Sequence, residues 1–435
     1  MPQSLWHATV KAQDHKPLQH DAKTDYLIIG GGIGGVLCAY FLHQEGADYM
    51  LVEGNRIGSG NTGNTTAKIT SQHGLIYDRM IHSMGKEKTA LYLEAHQNAL
   101  KQYRKLAETI DCDFEEKDSG VYSRENRQTI EREINALHSI GFPAEYAGEL
   151  PLPFPVKGAV LFPKQAQFHP LKFLFGISKS LNIYEHTFVN KIDGHTVYTD
   201  RGKITAGKII VATHFPFLNK RGSYFLKLYQ SRSYVIALNH AADVGGFYID
   251  ADKKGLSFRN YGELLLLGDG GGRTGKQHEN WKMLRNFAAS AYPDAKEAYH
   301  WAAQDCISLD GVPYIGNYSR HTPDLYTASG FNKWGMTSSM AAAMILRDLA
   351  LGRENIYKEV FSPSRNMLKP QLFLNAMESA GNLLFPSLKR CPHLGCALKW
   401  NPQEHTWDCP CHGSRFEKDG KLIDVPAVKD AHVPF

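Results

Sequence analysis

The last part of the chain holds its densest group of side chains able to do chemistry. Four cysteines and two histidines occur in two short motifs, Cys391-Pro-His393-Leu-Gly-Cys396 and Cys409-Pro-Cys411-His412-Gly-Ser414. Each motif offers a thiolate and an imidazole, spaced Cys-x-His or Cys-x-x-His, and one further cysteine. Two sulfur and two nitrogen donors suit a [2Fe-2S] cluster in which two neutral imidazoles replace thiolates on one iron. The same four donors also suit tetrahedral zinc.

Two features of the motifs distinguish these alternatives. The Cys-x-His spacing is tighter than the intervals of about two to four residues that are usual at zinc sites, and zinc would leave Cys396 and Cys411 without a role. The segment closely resembles the Rieske family, which has a CxHxGC motif followed by CPCHGS. This resemblance implies that Cys391 and Cys409 bind one iron, that His393 and His412 bind the other, and that Cys396 and Cys411 form a disulfide between the two cluster loops.

The beginning of the chain carries a nucleotide-binding pattern. The apolar run 25–30 leads directly into glycines that fit GxGxxG through Gly30, Gly32 and Gly35, and a helical segment and a second apolar strand ending in Glu53 follow. The N–H groups at the start of such a helix bind a pyrophosphate, with help from the helix dipole. An acidic residue at the end of the second strand binds ribose hydroxyls. This context predicts a dinucleotide-binding domain.

The residues after Glu53 indicate which dinucleotide is bound. The Gly- and Thr-rich stretch 55–74 resembles the FAD-dependent oxidoreductases of the D-amino-acid-oxidase-like (DAO) family, and so do 309–316 and 325–337. In that family the last segment delivers a helix N-terminus to the flavin, where N–H groups stabilise negative charge on reduction. The resemblance implies that FAD also contacts Arg56, Thr65, Thr66, Ala67, Val189, Gly330, Trp334, Gly335, Met336 and Thr337.

These patterns together predict the architecture. We expect an α/β FAD-binding domain, Rossmann-like and of the GR2 type, with an antiparallel β substrate domain and a small all-β Rieske module. The predicted division is an N-terminal tail (1–24), an FAD-dependent oxidoreductase (25–365), a linker (366–385) and a reduced Rieske [2Fe-2S] domain (386–435). Within the oxidoreductase, 25–76, 150–214 and 305–360 are assigned to FAD binding, and 77–149 and 215–304 to the substrate domain or cap. The glycine-rich stretch 268–273 is predicted to be a hairpin turn.

The Rieske module is short, which affects how it is supported. It lacks the strands that precede the first cluster loop in a full Rieske domain, so its base must be the FAD domain or another subunit. We therefore expect a fixed cluster position.

Joining the two cofactors predicts a dehydrogenase. A flavin accepts two electrons as hydride, whereas a Rieske cluster carries one electron at a potential of about −150 to +300 mV, above most flavin couples. Substrate would therefore reduce FAD, and single electrons would leave through the cluster to an external one-electron carrier. The alternative is an electron-transfer or redox-sensing protein without small-molecule turnover.

The substrate class is suggested by one departure from the family pattern. Many DAO relatives oxidise C–N bonds of amino acids or amines and place an arginine, which binds the substrate carboxylate, where this chain has Asp305. An aspartate cannot bind a carboxylate, so an amine is favoured, although Asp305 could equally make only a structural hydrogen bond. Lys68, His73 and His169 are candidate catalytic residues, but hydride transfer from a neutral amine demands no general base.

Composition limits the remaining possibilities. The 435-residue chain has a net charge of +5 and no Lys/Arg block, so nucleic acid is not implied as a partner. The first 24 residues contain no apolar signal-peptide core, and no apolar run reaches the roughly 18 residues of a membrane span. The three cysteines outside the motifs are scattered, which favours the cytoplasm. Assembly into a homo-oligomer stays open.

Overall fold

Two large β-sheets, of eight and nine strands, form the main layers of the described part of the chain. The structure is a computed structural model that describes residues 3–219, 221–252, 255–276, 280–366 and 368–433. The helices in these ranges are α1 (Leu5–Thr9), α2 (Ile33–Gln44), α3 (Tyr77–Ala107), α4 (Arg127–Ser139), α5 (Pro170–Ser178), α6 (Tyr224–Lys227), α7 (Trp281–Ala291), α8 (Gly335–Ala350), α9 (Lys358–Phe361) and α10 (Pro370–Leu384).

The strands are β1 (Ala22–Ile29), β2 (Tyr49–Val52), β3 (Lys68–Ile69), β4 (Glu115–Ser123), β5 (Glu145–Ala147), β6 (Gly158–Gln167), β7 (Ile183–Tyr184), β8 (Val189–Asp193), β9 (Thr196–Thr199), β10 (Lys203–Val211), β11 (Leu228–Asn239), β12 (Phe247–Asp250), β13 (Leu256–Tyr261), β14 (Leu264–Arg273), β15 (Lys296–Ser308), β16 (Tyr314–Asn317), β17 (Leu325–Ser329), β18 (Lys399–Asn401), β19 (Thr406–Asp408), β20 (Arg415–Phe416) and β21 (Leu422–Asp424). A 3-10 helix covers Asn61–Asn64.

The first sheet is the expected nucleotide-binding layer. Its order is β16-β17-β10-β1-β2-β7, and the five strands from β17 to β7 are parallel. Strands in such sheets are covered on both faces, which explains why β1 ends in a continuous apolar run and why β2 is buried throughout. Helices α2 and α8 pack against each other beside this sheet. The predicted α/β FAD-binding fold is confirmed.

Two glycines let α2 begin directly at the end of β1. A Cβ atom on Gly35 would lie 1.9 Å from the carbonyl oxygen of Gly30, so a side chain there would push the helix off the strand. Gly30 itself has φ +112°, and a Cβ there would lie 2.6 Å from the carbonyl oxygen of Ala212 on the neighbouring strand. These contacts explain the first and last glycines of the GxGxxG motif.

The second sheet is the predicted antiparallel layer. Its order is β15-β11-β14-β13-β12-β4-β6-β3, with β5 paired to β6, and the β12–β4 pair is parallel. Strands β3 and β6 lie in stretches assigned from sequence to FAD binding. The hairpin predicted at 268–273 is wrong, because these residues form the end of β14 and pair with 231–235 of β11, with a register shift between Arg232 and Tyr234.

The C-terminal module is a four-stranded sheet in the order β18-β19-β20-β21. It has a small core of its own that includes Leu398, Phe416 and Ala427 with the cysteines. Helix α10, in the segment predicted as a linker, precedes it. The domain boundaries stay predictions.

None of the helices in the described ranges combines the length and the apolar character needed to cross a membrane.

Candidate functional site

Two tight loops present the cysteine and histidine motifs. In the first, Cys391 N donates to Cys396 O (2.9 Å) and Gly395 N donates to Cys391 O (2.9 Å). In the second, Cys409 N donates to Ser414 O (2.8 Å) and Gly413 N donates to Cys409 O (2.9 Å). A disulfide between Cys396 and Cys411 joins the loops. The loops are therefore closed by their own backbone and linked covalently.

The donor atoms that remain match a mixed thiolate and imidazole site. Cys391 and Cys409 are buried free thiols in contact with each other. The Nδ1 atoms of His393 and His412 are buried without a hydrogen-bond partner among the described residues, and the two rings lie 5.0 Å apart. Buried nitrogens without a partner are costly unless a ligand uses them. This donor set fits a [2Fe-2S] cluster.

The hydrogen bond made by Nε2 of each imidazole fixes its tautomer. His412 Nε2 donates to the carbonyl oxygen of Phe225 (2.9 Å), and His393 Nε2 donates to Asn219 Oδ1. With the proton on Nε2, each Nδ1 lone pair is free to bind metal. Burial lowers the pKa of His393 to about 4 and that of His412 to about 3, so both rings are neutral, as ligation requires.

The sulfur atoms are buried in the core of the module, where neighbouring thiol and N–H groups act on them. The neighbouring Cys391 thiol, followed by the backbone N–H groups of the second loop, lowers the pKa of Cys409 against the effect of burial. The sulfurs of Cys396, Cys409 and Cys411 lie within 4.8 Å of one another, but the disulfide occupies two of them. Cys391 and Cys409 are therefore the two thiolates available to iron.

The histidine side of the module rests on the oxidoreductase. Gln230 Nε2 donates to His412 O (2.8 Å), and Gln304 Nε2 donates to Gly413 O (2.9 Å). The Phe215 ring meets the edges of both imidazole rings, with centroids 6.5 Å from His393 and 6.0 Å from His412. The expected fixed position of the cluster agrees with these buried contacts.

A buried group of charges adds to this interface. The Glu404 carboxylate of the module accepts bonds from Nε and Nη2 of Arg232 on β11 and also accepts a bond from Arg415 Nη2 (2.7 Å). Arg415 in turn pairs with Asp408 and Asp424, each at 3.1 Å. Burial opposes the charge on Glu404, but the two arginines hold the pKa of this carboxyl below its usual value. Arg232 thereby connects the large antiparallel sheet to the cluster module.

The start of the chain forms the cradle expected for a dinucleotide. The Glu53 carboxylate accepts bonds from the N–H groups of Gly31 (2.6 Å) and Asn55 (2.8 Å), at the carboxyl end of β2. Among the described residues, a Cβ on Gly32 would have only Thr62 Oγ1, at 3.5 Å, within 4 Å, so the N-terminus of α2 is open to a phosphate. These residues fit FAD.

The segment 325–337, which the sequence resemblance assigns to the flavin, leads into the N-terminus of α8. Trp334 precedes α8, and no atom in the described part of the chain lies within 4 Å of a Cβ built on Gly335, so the backbone of Gly335 is accessible. Tyr103 donates to Met336 O (3.0 Å), and Thr337 Oγ1 donates to Thr70 O (2.8 Å). These bonds anchor the helix N-terminus that the sequence assigns to the flavin.

The other FAD candidates occupy varied positions. Thr65 and Thr66 lie in the loop before β3, Ala67 has φ +54° and is fully buried, Val189 begins β8, and Gly330 follows β17 with φ +72°. Arg56 forms an ion pair with Asp14 of the N-terminal tail. Their contacts with FAD stay predictions.

Among the catalytic candidates, Lys68 has the most reactive environment. Its Nζ donates to Ser257 Oγ (2.6 Å) and to Thr66 Oγ1 (3.2 Å). Burial, with a smaller effect from the Arg259 guanidinium, lowers the pKa of Lys68 to about 7. The ammonium and amine forms therefore coexist near neutral pH.

The two histidine candidates are held inside the protein. His73 contacts Tyr92 OH (2.6 Å) through Nδ1 and Thr70 O (2.9 Å) through Nε2, and its ring stacks on Trp334. His169 caps α5 and contacts Thr9 Oγ1 (3.0 Å). Burial lowers the pKa of His73 to about 3 and that of His169 to about 4. This geometry suits positioning, and a direct catalytic role stays a prediction.

Sequence reasoning missed the N-terminal segment. Trp6 is fully buried, donates from Nε1 to Thr65 O (2.6 Å) and packs against Trp301. Ser4 Oγ donates to Gly63 O (2.5 Å). Both bonds hold the loop predicted to wrap the pyrophosphate. The apolar pair Leu5-Trp6, within the segment predicted as an N-terminal tail, was the signal that the sequence offered.

Comparison with known proteins agrees with both sites. Residues 25–349 match the family described as FAD dependent oxidoreductase (DAO), and residues 367–434 match the Rieske [2Fe-2S] domain. The chain belongs to the DAO family of FAD-dependent oxidoreductases and carries a C-terminal Rieske domain.

Three similar proteins illustrate the match. A Rieske 2Fe-2S iron-sulfur protein of Bacillus subtilis (strain 168), YhfW, is 34% identical and is aligned over 98% of this chain and 96% of its own. Gamma-glutamylputrescine oxidoreductase of Escherichia coli (strain K12) is 24% identical over 77% of this chain and 85% of its own. The crystal structure of L-proline dehydrogenase from P. horikoshii has a TM-score of 0.67 at 17% identity, covering 79% of this chain and 98% of its own.

The family and the two sites establish the class of the protein. It is an oxidoreductase whose cofactors are FAD and a Rieske [2Fe-2S] cluster.

Proposed function

We propose that this chain is a dehydrogenase that oxidises a C–N bond of a small amine or amino acid and passes single electrons to an external carrier through its cluster. FAD supplies a two-electron acceptor, and the cluster supplies a one-electron carrier. The observation that carries the proposal is the burial of the cluster's histidine side against the oxidoreductase domain. A cluster that exchanged electrons only with an outside partner would not need its histidine side to be covered by the oxidoreductase domain.

Gln304 is hydrogen-bonded both to the predicted FAD loop and to the cluster module. Gln304 N donates to Asn61 Oδ1 (3.0 Å) in the loop predicted to hold FAD, and Gln304 Nε2 donates to Gly413 O (2.9 Å) beside His412. The Phe215 ring fills the space against both cluster imidazoles. Electrons would therefore pass between FAD and the cluster while the module stays in this position, without a domain movement.

The substrate class rests on Asp305 and on the relatives. Among the described residues, Asn61 Nδ2 and Ser233 Oγ each donate a long hydrogen bond of 3.4 Å to the Asp305 carboxylate, which also acts electrostatically on Lys333 and His214. An anionic group beside the FAD loop favours a cationic amine. The E. coli relative is named for gamma-glutamylputrescine, which is an amine, and the P. horikoshii structure for L-proline, an amino acid. Both compounds contain an oxidisable C–N bond.

The remaining candidate side chains support this chemistry in different ways. Lys68 Nζ, with a pKa of about 7, would exchange a proton with the substrate nitrogen, since hydride transfer needs the neutral amine. His73 and His169 would hold the surrounding loops. Free thiols at Cys38, Cys112 and Cys306 suit a reducing compartment, and we place the activity in the cytoplasm.

An anaerobic titration tests the proposal. The purified holoprotein is mixed with a panel of amines and amino acids while flavin absorbance and the cluster EPR signal are followed. We expect at least one amine to bleach the flavin and to produce a rhombic Rieske signal. If dithionite reduces the cluster but no compound affects the flavin, the protein is an electron-transfer or redox-sensing protein instead.

A further inference from the structure

Helix α10 has its faces reversed relative to an ordinary surface helix. Its fully buried residue is Asn375, which accepts from Arg273 Nη1 (3.0 Å) and donates to Leu226 O (3.1 Å). Near its C-terminal end, Asn382 O accepts a bond from Ala397 N (3.0 Å). Surface helices normally bury an apolar stripe and expose the polar one. Here the polar side binds the protein.

The opposite side is apolar and exposed. Spacings of four and seven residues place Phe373, Met377 and Leu384 on one face of the helix, and their side chains are 63%, 71% and 83% exposed. The surface, which we name the α10 patch, consists of Leu368, Phe373, Leu374, Met377, Leu383, Leu384, Phe385 and Leu388, all exposed. A concentration of large exposed apolar side chains in one short segment is typical of an interaction site, whereas apolar residues exposed singly are common on any protein.

The charged residues of the segment that carries the α10 patch have one dominant sign. From residue 366 to 400 the basic residues are Lys369, Lys389, Arg390 and Lys399, whereas the acidic residue is Glu378, which is paired with Lys276 at 3.0 Å. Lys399 Nζ lies 3.6 Å from the centroid of the Phe385 ring, at the edge of the patch. Apolar side chains bordered by lysines are typical of segments that lie in the interface of an anionic bilayer.

We propose that the α10 patch docks on the surface of an anionic lipid bilayer. Protein interfaces combine apolar residues with directed hydrogen bonds, but the patch side chains have no polar atoms to offer, and the basic residues at its ends match acidic headgroups. The helix lies on the surface and does not span it.

The patch adjoins the cluster loops. A Cβ on Gly395 would lie 3.8 Å from Leu383 Cδ2, and Gly395 directly precedes the disulfide residue Cys396. Docking would therefore bring the cluster module to the bilayer. Building on the proposed function, this placement favours a quinone dissolved in the lipid as the electron acceptor. Two electrons delivered singly, with two protons from water, convert such a quinone to the quinol.

The test uses the full-length holoprotein and vesicles. The double variant Phe373→Ser/Met377→Ser removes two exposed apolar side chains, and Ile356→Ser, at a 66% exposed residue outside the patch, is the matched control. We expect the wild type and Ile356→Ser to float with phosphatidylglycerol vesicles, and the double variant to bind them at least about tenfold more weakly per side chain removed. Binding should also weaken with salt and with neutral phosphatidylcholine vesicles.

Two other measurements separate the possible outcomes. If the wild type does not bind anionic vesicles, and sedimentation shows a dimer that the double variant converts to monomer, the patch joins two copies and the proposal is wrong. Absence of both vesicle binding and dimer also overturns it.

Electron transfer to a vesicle-dissolved quinone is measured beside transfer to a soluble one-electron dye. We expect the double variant to lose the quinone reaction and to keep the dye reaction. If the wild type reduces neither the quinone nor the dye, the proposed function is contradicted, whatever the vesicle result.

Discussion

Removing the charge of Glu404 should loosen the cluster module from the oxidoreductase. Glu404→Gln keeps the size of the side chain but leaves Arg232 without its ion-pair partner among the described residues, in a place where the two side chains are 6% and 9% exposed. Arg415 keeps Asp408 and Asp424 as partners. Breaking a buried pair costs about 3–5 kcal/mol, because an uncompensated charge stays buried. We expect a loss of this size in the stability of the module.

The assay is urea unfolding followed at two signals, the visible circular dichroism of the cluster and the flavin fluorescence. In Glu404→Gln the cluster signal should be lost at lower urea while the flavin transition shifts less. The matched control is Glu297→Gln, which breaks the Arg285–Glu297 pair, where Arg285 is 48% exposed and the expected cost is about 0–1 kcal/mol. Equal shifts in the two variants would refute the argument that the module is held by a buried ion pair.

Three further substitutions test the flavin site. Trp6→Ala removes a buried ring and its hydrogen bond to the carbonyl oxygen of Thr65 in the predicted FAD loop. FAD should then dissociate about tenfold faster, as measured by the rise of free-flavin fluorescence. An unchanged dissociation rate would mean that the N-terminal segment does not hold the loop. Asp305→Asn should raise the KM for an amine about tenfold and change kcat little, and an unaltered KM would remove Asp305 from substrate binding. Burial lowers the pKa of Lys68 to about 7 in the folded protein, whereas the ordinary pKa of lysine in an unfolded chain is 10.5. Between these two pH values Lys68 is protonated in the unfolded chain but largely neutral in the folded protein. The free energy of unfolding should therefore rise with pH across this range. Lys68→Met should flatten this rise in thermal melts recorded across that range, and a slope equal to that of the wild type would count against the lowered pKa.

Features encoded by a few neighbouring residues could be predicted from the sequence. The cluster motifs, the GxGxxG turn and the acid at the end of β2 are local, because each depends on residues brought together by one loop or one βαβ unit. Gly35 illustrates this: its role follows from its distance along the chain from Gly30. These motifs were sufficient to give the family and both cofactors.

Features that depend on distant parts of the chain were not predictable in the same way. Gln230, Gln304 and Arg232 support the cluster module, but each is a single polar residue within a strand and shows no pattern in the sequence. The end of β14 reads as a turn because of its glycines, whereas pairing with β11 makes it a strand. The spacing of apolar residues in α10 was visible, but only the fold shows that this face points outward.

The most direct test of the central claim is an anaerobic single-turnover experiment. The holoprotein is mixed with one equivalent of an active amine at several protein concentrations, and freeze-quenched samples are measured by EPR. The account predicts that flavin bleaching is followed by a Rieske signal that grows at a first-order rate independent of protein concentration, because both cofactors lie in one chain. A rate that rises with protein concentration, or a bleached flavin with no cluster signal, would contradict electron transfer from flavin to cluster within the chain.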